Sequence, residues 1–142
     1  MKISNLVADK RTVTVEYPGI DGFKVSLCYL GRDELVKIRE RNMHFKFNPA
    51  TGNREESVDN DAFLKDYTEK VIIGWTGLKV KHLEKLFPAE TEGLDPNEEV
   101  DYSDENAYTI VRESVAFDQW LTDCMTHVEM FNRKEEEAAA KN

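Results

Sequence analysis

The chain has 142 residues and a mass of 16.4 kDa; 40% of its residues are apolar and 33% charged, with a net charge of −9 and a pI near 4.9. A chain of this length makes one domain and buries roughly two-thirds of its unfolded surface, so it needs no metal or disulfide staple. Nineteen basic residues against 28 acidic ones argue against nucleic-acid or anionic-lipid binding, and no apolar run approaches the length of a membrane span.

The N-terminal third alternates with a period of two. Val13, Val15 and Tyr17 form one run and Phe23, Val25, Leu27 and Tyr29 another, around Pro18-Gly19-Ile20-Asp21-Gly22. Two alternating runs about such turn chemistry predict a β-hairpin. Gly31 closes the second strand, and Asp33 and Glu34 open a short helix whose apolar face takes Leu35, Val36 and Ile38. Met43 to Phe47 alternates again before the turn sequence Asn48 to Asn53, and Arg54 to Val58 leads out of it, so a second short hairpin is expected near 43–58.

Asp59 or Asn60 caps a helix expected to run from Asp59 to Trp75, with Phe63, Tyr67, Val71 and Trp75 on one face. Gly74 and Gly77 mark a helix end or a sharp bend. A short helix follows from Val80 to Phe87, where Pro88 stops it. Residues 88–106 hold eight acids and no base, and this stretch reads as a solvated loop. Ser103 caps the next helix and Ser114 the one after. Phe117, Trp120, Leu121, Cys124, Val128 and Phe131 then keep a 3-4 spacing over four turns.

These elements predict an α+β fold: an N-terminal hairpin packed on four or five helices in a single domain, 1–131, followed by a charged flexible tail, 132–142. The Asp59–Trp75 and Val115–Phe131 helices own the longest apolar stripes and are expected to pack on each other. Trp75 and Trp120 read as core, with presentation to a partner as the other reading.

Catalytic templates fail one by one. Gly74-Trp75-Thr76-Gly77 lacks a following Lys-Ser/Thr pair, and no nucleophile elbow is present. Cys124 and His127 share a helix face, but the other histidines, His44 and His82, lie in unrelated segments, short of a zinc ligand set. Asp95, Asn97, Glu99 and Asp101 alternate like calcium ligands, yet Val100 stands where the loop needs Gly and Asn106 where it needs Glu. No catalytic residue, metal or cofactor is assigned. A small hydrolytic or regulatory enzyme is the least economical reading. Cys28 and Cys124 read as reduced, packed thiols of a cytoplasmic protein.

Three short motifs carry a resemblance: Tyr29-Leu30-Gly31-Arg32-Asp33-Glu34-Leu35, Val71-Ile72-Ile73-Gly74-Trp75-Thr76-Gly77-Leu78, and Val100-Asp101-Tyr102-Ser103-Asp104-Glu105-Asn106. Their order and spacing, spanning most of residues 1–135, resemble tail assembly chaperones of long-tailed (siphovirus-type) bacteriophages. Gly31, where that family commonly has Pro, and the 48–58 insertion depart from its pattern. The resemblance implies a non-enzymatic protein of the host cytoplasm, absent from the mature virion. It would bind the tape measure protein and keep it soluble while the tail tube assembles. It also implies contact with the tail tube protein through a frameshifted longer form; self-association is a further partner reading, and no nucleic acid or membrane is involved. The alternative is a structural tail or head-completion protein retained in the particle. The apolar residues expected to meet a partner are Leu83, Phe87, Met130 and Phe131.

Overall fold

The computed structural model describes residues 1–8 and 10–132. Apart from Asn132, the tail expected over 132–142 lies outside the described residues. The fold is α+β. A 3-10 turn, Ile3–Leu6, precedes strand β1 (Thr12–Glu16), β2 (Lys24–Cys28), helix α1 (Arg32–Arg41), β3 (Met43–Asn48) and β4 (Asn53–Val58). Helix α2 (Asn60–Val71), β5 (Ile72–Thr76), a 3-10 helix (Val80–Lys85), α3 (Asp104–Glu113), α4 (Val115–Thr126) and the single turn α5 (Val128–Phe131) complete it.

Both predicted hairpins form. β1 and β2 pair in register Val13↔Leu27 and Val15↔Val25, and β3 and β4 pair from Met43↔Val58 to Asn48↔Asn53. The expected caps form too: Asp59, Ser103 and Ser114 each accept a backbone N–H from the first turn of the helix that follows. Each such cap satisfies one of the donors that a helix start leaves unpaired.

The helix expected through Trp75 ends four residues earlier, at Val71. Ile72–Thr76 is instead the third strand of a sheet ordered β1-β2-β5, antiparallel to β2. Two forces decide this. Ile72 and Ile73 are β-branched and Gly74 is costly inside a helix, and the outer edge of β2 has backbone groups that only another strand satisfies. Gly77 has φ +81 and carries the chain off the sheet.

The core lies between this sheet and the helices. Phe23, Val25, Leu27, Val71, Ile72, Phe117 and Leu121 have no measurable exposure. Aromatic rings order its centre. Phe117 lies 5.4 Å from the Tyr17 ring and 6.4 Å from Phe23, and Trp120 closes on Tyr17 edge-on at 5.0 Å. The two helices expected to pack on each other are bridged by a third: α2 packs chiefly on α3, and α3 on α4. The short loop between α3 and α4, one residue long at Ser114, makes those two neighbours in space.

The C-terminal stripe is also broken. Thr126 Oγ1 donates to the Asp123 carbonyl at 2.7 Å, and His127 Nδ1 lies 2.6 Å from the same oxygen. These contacts take the acceptor that the next helical turn would use, and α4 stops. The turn α5 restarts with a new phase, which leaves Val128 exposed, while Phe131 is buried. Of the face expected for α1, only Ile38 is buried; Leu35 and Val36 are exposed.

The acidic segment is a surface loop, but it is pinned. Val80 and Lys81 donate backbone N–H bonds to the Glu98 and Pro96 carbonyls, and Val100 donates to Leu78 at 2.8 Å. Trp75 Nε1 donates to the Val100 carbonyl at 2.9 Å, with the Tyr102 ring edge-on 5.2 Å away. The Tyr102 hydroxyl lies 2.9 Å from both the Ile72 carbonyl and Asp104 Oδ1. Burial, then Asp104, pushes that phenol up to about 12. The side chains of Glu90, Glu92, Glu98 and Glu99 remain exposed. Changing these four to Gln is therefore expected to leave the melting temperature equal or higher, because like charges this close repel and their backbone anchors persist. A large drop in a thermal melt would reveal carboxylates that hold the fold.

Candidate functional site

The β3–β4 hairpin stands apart from the core as a two-stranded arm. Its tip follows from local chemistry. Asn48 Oδ1 accepts from the Ala50 N–H at 2.9 Å, the Gly52 N–H returns to the Asn48 carbonyl at 2.8 Å, and Gly52 has φ +72. Its root is clamped to the body. Arg41 makes a bidentate pair with Asp66 on α2, both contacts at 3.0 Å. Asn42 adds a bond to Asp66 at 3.1 Å and one to the Ile38 carbonyl at 2.7 Å. The Asp59 N–H closes the base on the Asn42 carbonyl at 2.8 Å.

Cross-strand register puts Met43, Phe45 and Phe47 on one face of the arm, opposite Val58, Glu56 and Arg54. Phe45 is 59% exposed and Phe47 67%. Two strand residues apart, they stand about 7 Å from each other. The Arg54 guanidinium lies over the Phe45 ring at 5.3 Å, which holds one edge of the pair in place. Lone exposed apolar side chains are ordinary on proteins, but two Phe side by side on a projecting hairpin are an adhesive surface.

The residues expected to meet a partner sit differently. Leu83, Phe87 and Met130 are half-buried and packed against the core. Phe131 is 2% exposed, its ring 5.3 Å from Tyr29. The structure does not place Phe131 at the surface: it is buried on the side that Phe117, Leu121 and Cys124 share. Phe45 and Phe47 were legible as strand residues but not as exposed ones. The available signal was Arg54 and Glu56, which stand opposite them in a six-residue strand with no apolar residue before Val58.

The chemistry-bearing side chains do not converge. His44 Nε2 lies 3.5 Å from Asp59 Oδ2 at the arm's root, His82 Nδ1 accepts the Lys79 N–H at 3.0 Å, and His127 closes its own helix end. Cys124 is buried, and burial, then the nearby Asp123, pushes its thiol up to about 11, the opposite of an activated nucleophile. Among the described residues no group of three or more His, Cys, Asp or Glu is placed to hold a metal ion, and no helix is long and apolar enough to cross a membrane. A groove of about 450 Å³ between α2 and α3 carries Lys65, Glu69, Asp104, Glu105, Tyr108 and Arg112, an open surface of mixed charge. No protein-family model, curated protein or solved structure matches the chain.

Titration at two of these places bears on stability. Burial, followed by the charges of Lys81, Lys85 and Lys79, holds the His82 imidazole below its ordinary 6.5. The hydrogen bond from Arg41 holds Asp66 below its ordinary 3.8. Both folded-state values are depressed, so each group adds stability above its unfolded value that is lost as pH falls toward the folded one. Melting temperature is expected to fall first below about pH 6.5 and again below about pH 4. His82→Gln removes the upper step and Asp66→Asn weakens the lower one. An unchanged profile in His82→Gln would place the upper step elsewhere.

Proposed function

We propose that the chain is a tail assembly chaperone of a long-tailed bacteriophage. It acts in the host cytoplasm by binding the tape measure protein rather than by catalysis, and it is absent from the mature virion. The observation that carries the client-binding part of this reading is the exposed Phe45–Phe47 pair on an arm rooted by the Arg41–Asp66 clamp; the arm includes the 48–58 stretch that departs from the family's pattern, so this surface is the chain's own and the family part rests on the motifs. A long amphipathic client helix hides its apolar face either by self-association or against such a surface. Many weak copies along one client add avidity without any tight single site. The net charge of −9 supports the reading, since a strongly charged coat keeps a complex dispersed. The order of the three motifs also supports it. Two of them meet in space through Trp75–Val100 and Tyr102–Ile72, so they hold the fold and leave the client surface to other residues.

Co-expression with the tape measure protein of the same phage is expected to move that protein from the pellet to the soluble fraction, with binding that survives high salt because the contacts are apolar. Phe45→Ser with Phe47→Ser should abolish the rescue and leave the circular dichroism spectrum intact. Leu83→Ser, Phe87→Ser and Met130→Ser should instead lower stability, since those side chains pack on the core. Failure of the parent protein to solubilise any tape-measure fragment, together with its presence at fixed copy number in purified tails, would make it a structural tail or head-completion protein.

A further inference from the structure

Among the described residues strand β1 pairs with β2 alone, and no other strand lies along its far edge. The Tyr17 N–H bonds the Phe23 carbonyl at 2.8 Å, and the Tyr29 N–H bonds the Arg11 carbonyl at 2.9 Å. The register Val13↔Leu27 and Val15↔Val25 continues that phase. Odd-numbered residues therefore commit their backbone groups to β2, and the N–H and C=O groups of Thr12, Thr14 and Glu16 point away from the sheet. All three residues are exposed. A row of unpaired backbone groups is a template for another strand. The opposite edge is different, because the 100–102 segment is bonded to β5 through Trp75 and Tyr102.

We infer that β1 pairs antiparallel with β1 of a second copy, about a two-fold axis at Val13, so that two three-stranded sheets become one of six strands. Charge selects this partner and this register. β1 is preceded by Lys10 and Arg11 and ends on Glu16. About Val13, Lys10 stands opposite Glu16 of the second copy and Thr12 opposite its Thr14, each pair occurring twice. Opposite charges and paired threonines are both favourable cross-strand neighbours. A two-fold at Thr14 sets Lys10 against Pro18 instead, and proline has no N–H to give. The excess negative charge lies in the segment bonded to β5, at the far side of each sheet. Joining through β1 leaves the two β5 strands about 24 Å apart at ordinary strand spacing, well beyond the screening length in physiological salt. The pairing uses neither Phe45 nor Phe47 and stands whether or not the client reading does.

Sedimentation equilibrium of the full chain is expected to show a concentration-dependent dimer. Thr14→Pro removes an N–H that points out of the sheet, so the β1–β2 ladder survives and the protein becomes monomeric with its circular dichroism spectrum retained. Lys10→Glu sets two like-charge pairs across the axis and should raise the dimer dissociation constant about tenfold. Adding Glu16→Lys to Lys10→Glu reverses both partners and should restore dimerisation, a rescue that a merely structural effect of either residue would not produce. A parent protein that stays monomeric at every concentration overturns the proposal. So does a dimer that persists in Thr14→Pro, or one indifferent to Lys10→Glu.

Discussion

Phe117→Ala is expected to cost about 3–5 kcal/mol of unfolding free energy, the range for emptying a large aromatic site in a packed core. Phe117 has no exposure, and its ring stacks on those of Tyr17 and Phe23, which also meet each other, with the Trp120 ring tilted against it. Tyr17 and Phe23 flank the turn between β1 and β2 and Trp120 sits on α4, so closing the cavity needs the hairpin and the helix to move together. Urea unfolding measures the loss directly, and the melting temperature should drop by on the order of 10 °C or more. Trp120→Ala should cost less, because Trp120 keeps part of its surface in water and its neighbours have room to relax. Equal losses in the two variants would move the centre of the core from Phe117 to Trp120.

Gly77→Ala is expected to cost about 3 kcal/mol or more, through two separate penalties. At φ +81 any side chain is strained, and a Cβ there would run into the Gly22 carbonyl oxygen and stand 2.8 Å from its carbon. The obstacle is backbone, held by the tight turn that closes the β1–β2 hairpin, and it cannot swing aside as a side chain would. Gly93→Ala is the control: it has a similar φ of +83 but nothing within 4 Å of the added carbon. Its loss should be limited to the conformational part, about 1–2 kcal/mol. If the two variants melt together, the close approach of residues 22 and 77 contributes nothing.

Local structure was legible wherever it rests on neighbours in sequence. The alternation of Val13 to Tyr17 and Phe23 to Tyr29 sufficed for the first hairpin, and Asn48 to Asn53 for the second, because turn chemistry and a period of two act over a few residues. Asp59, Ser103 and Ser114 were readable as caps for the same reason. The candidate site was legible only in part: β3 was recognisable as a strand, but the exposure of Phe45 and Phe47 depends on what the rest of the chain brings near them. Ile72–Thr76 shows the same limit. A helical stripe running on to Trp75 fits the spacing, yet the open edge of β2, remote in sequence, outweighs that local preference once the hairpin exists. Phe131 continues the stripe of Phe117, Leu121 and Cys124 and is buried with them, against Tyr29, whereas the break at His127 leaves Val128 of the same stripe exposed. Composition and turn chemistry by themselves determined an acidic α+β chain with two hairpins and capped helices. Tertiary structure alone decided which strand completes the sheet, which helix bridges α2 and α4, and which aromatic residues remain in water, because backbone pairing and burial are settled by partners far along the chain.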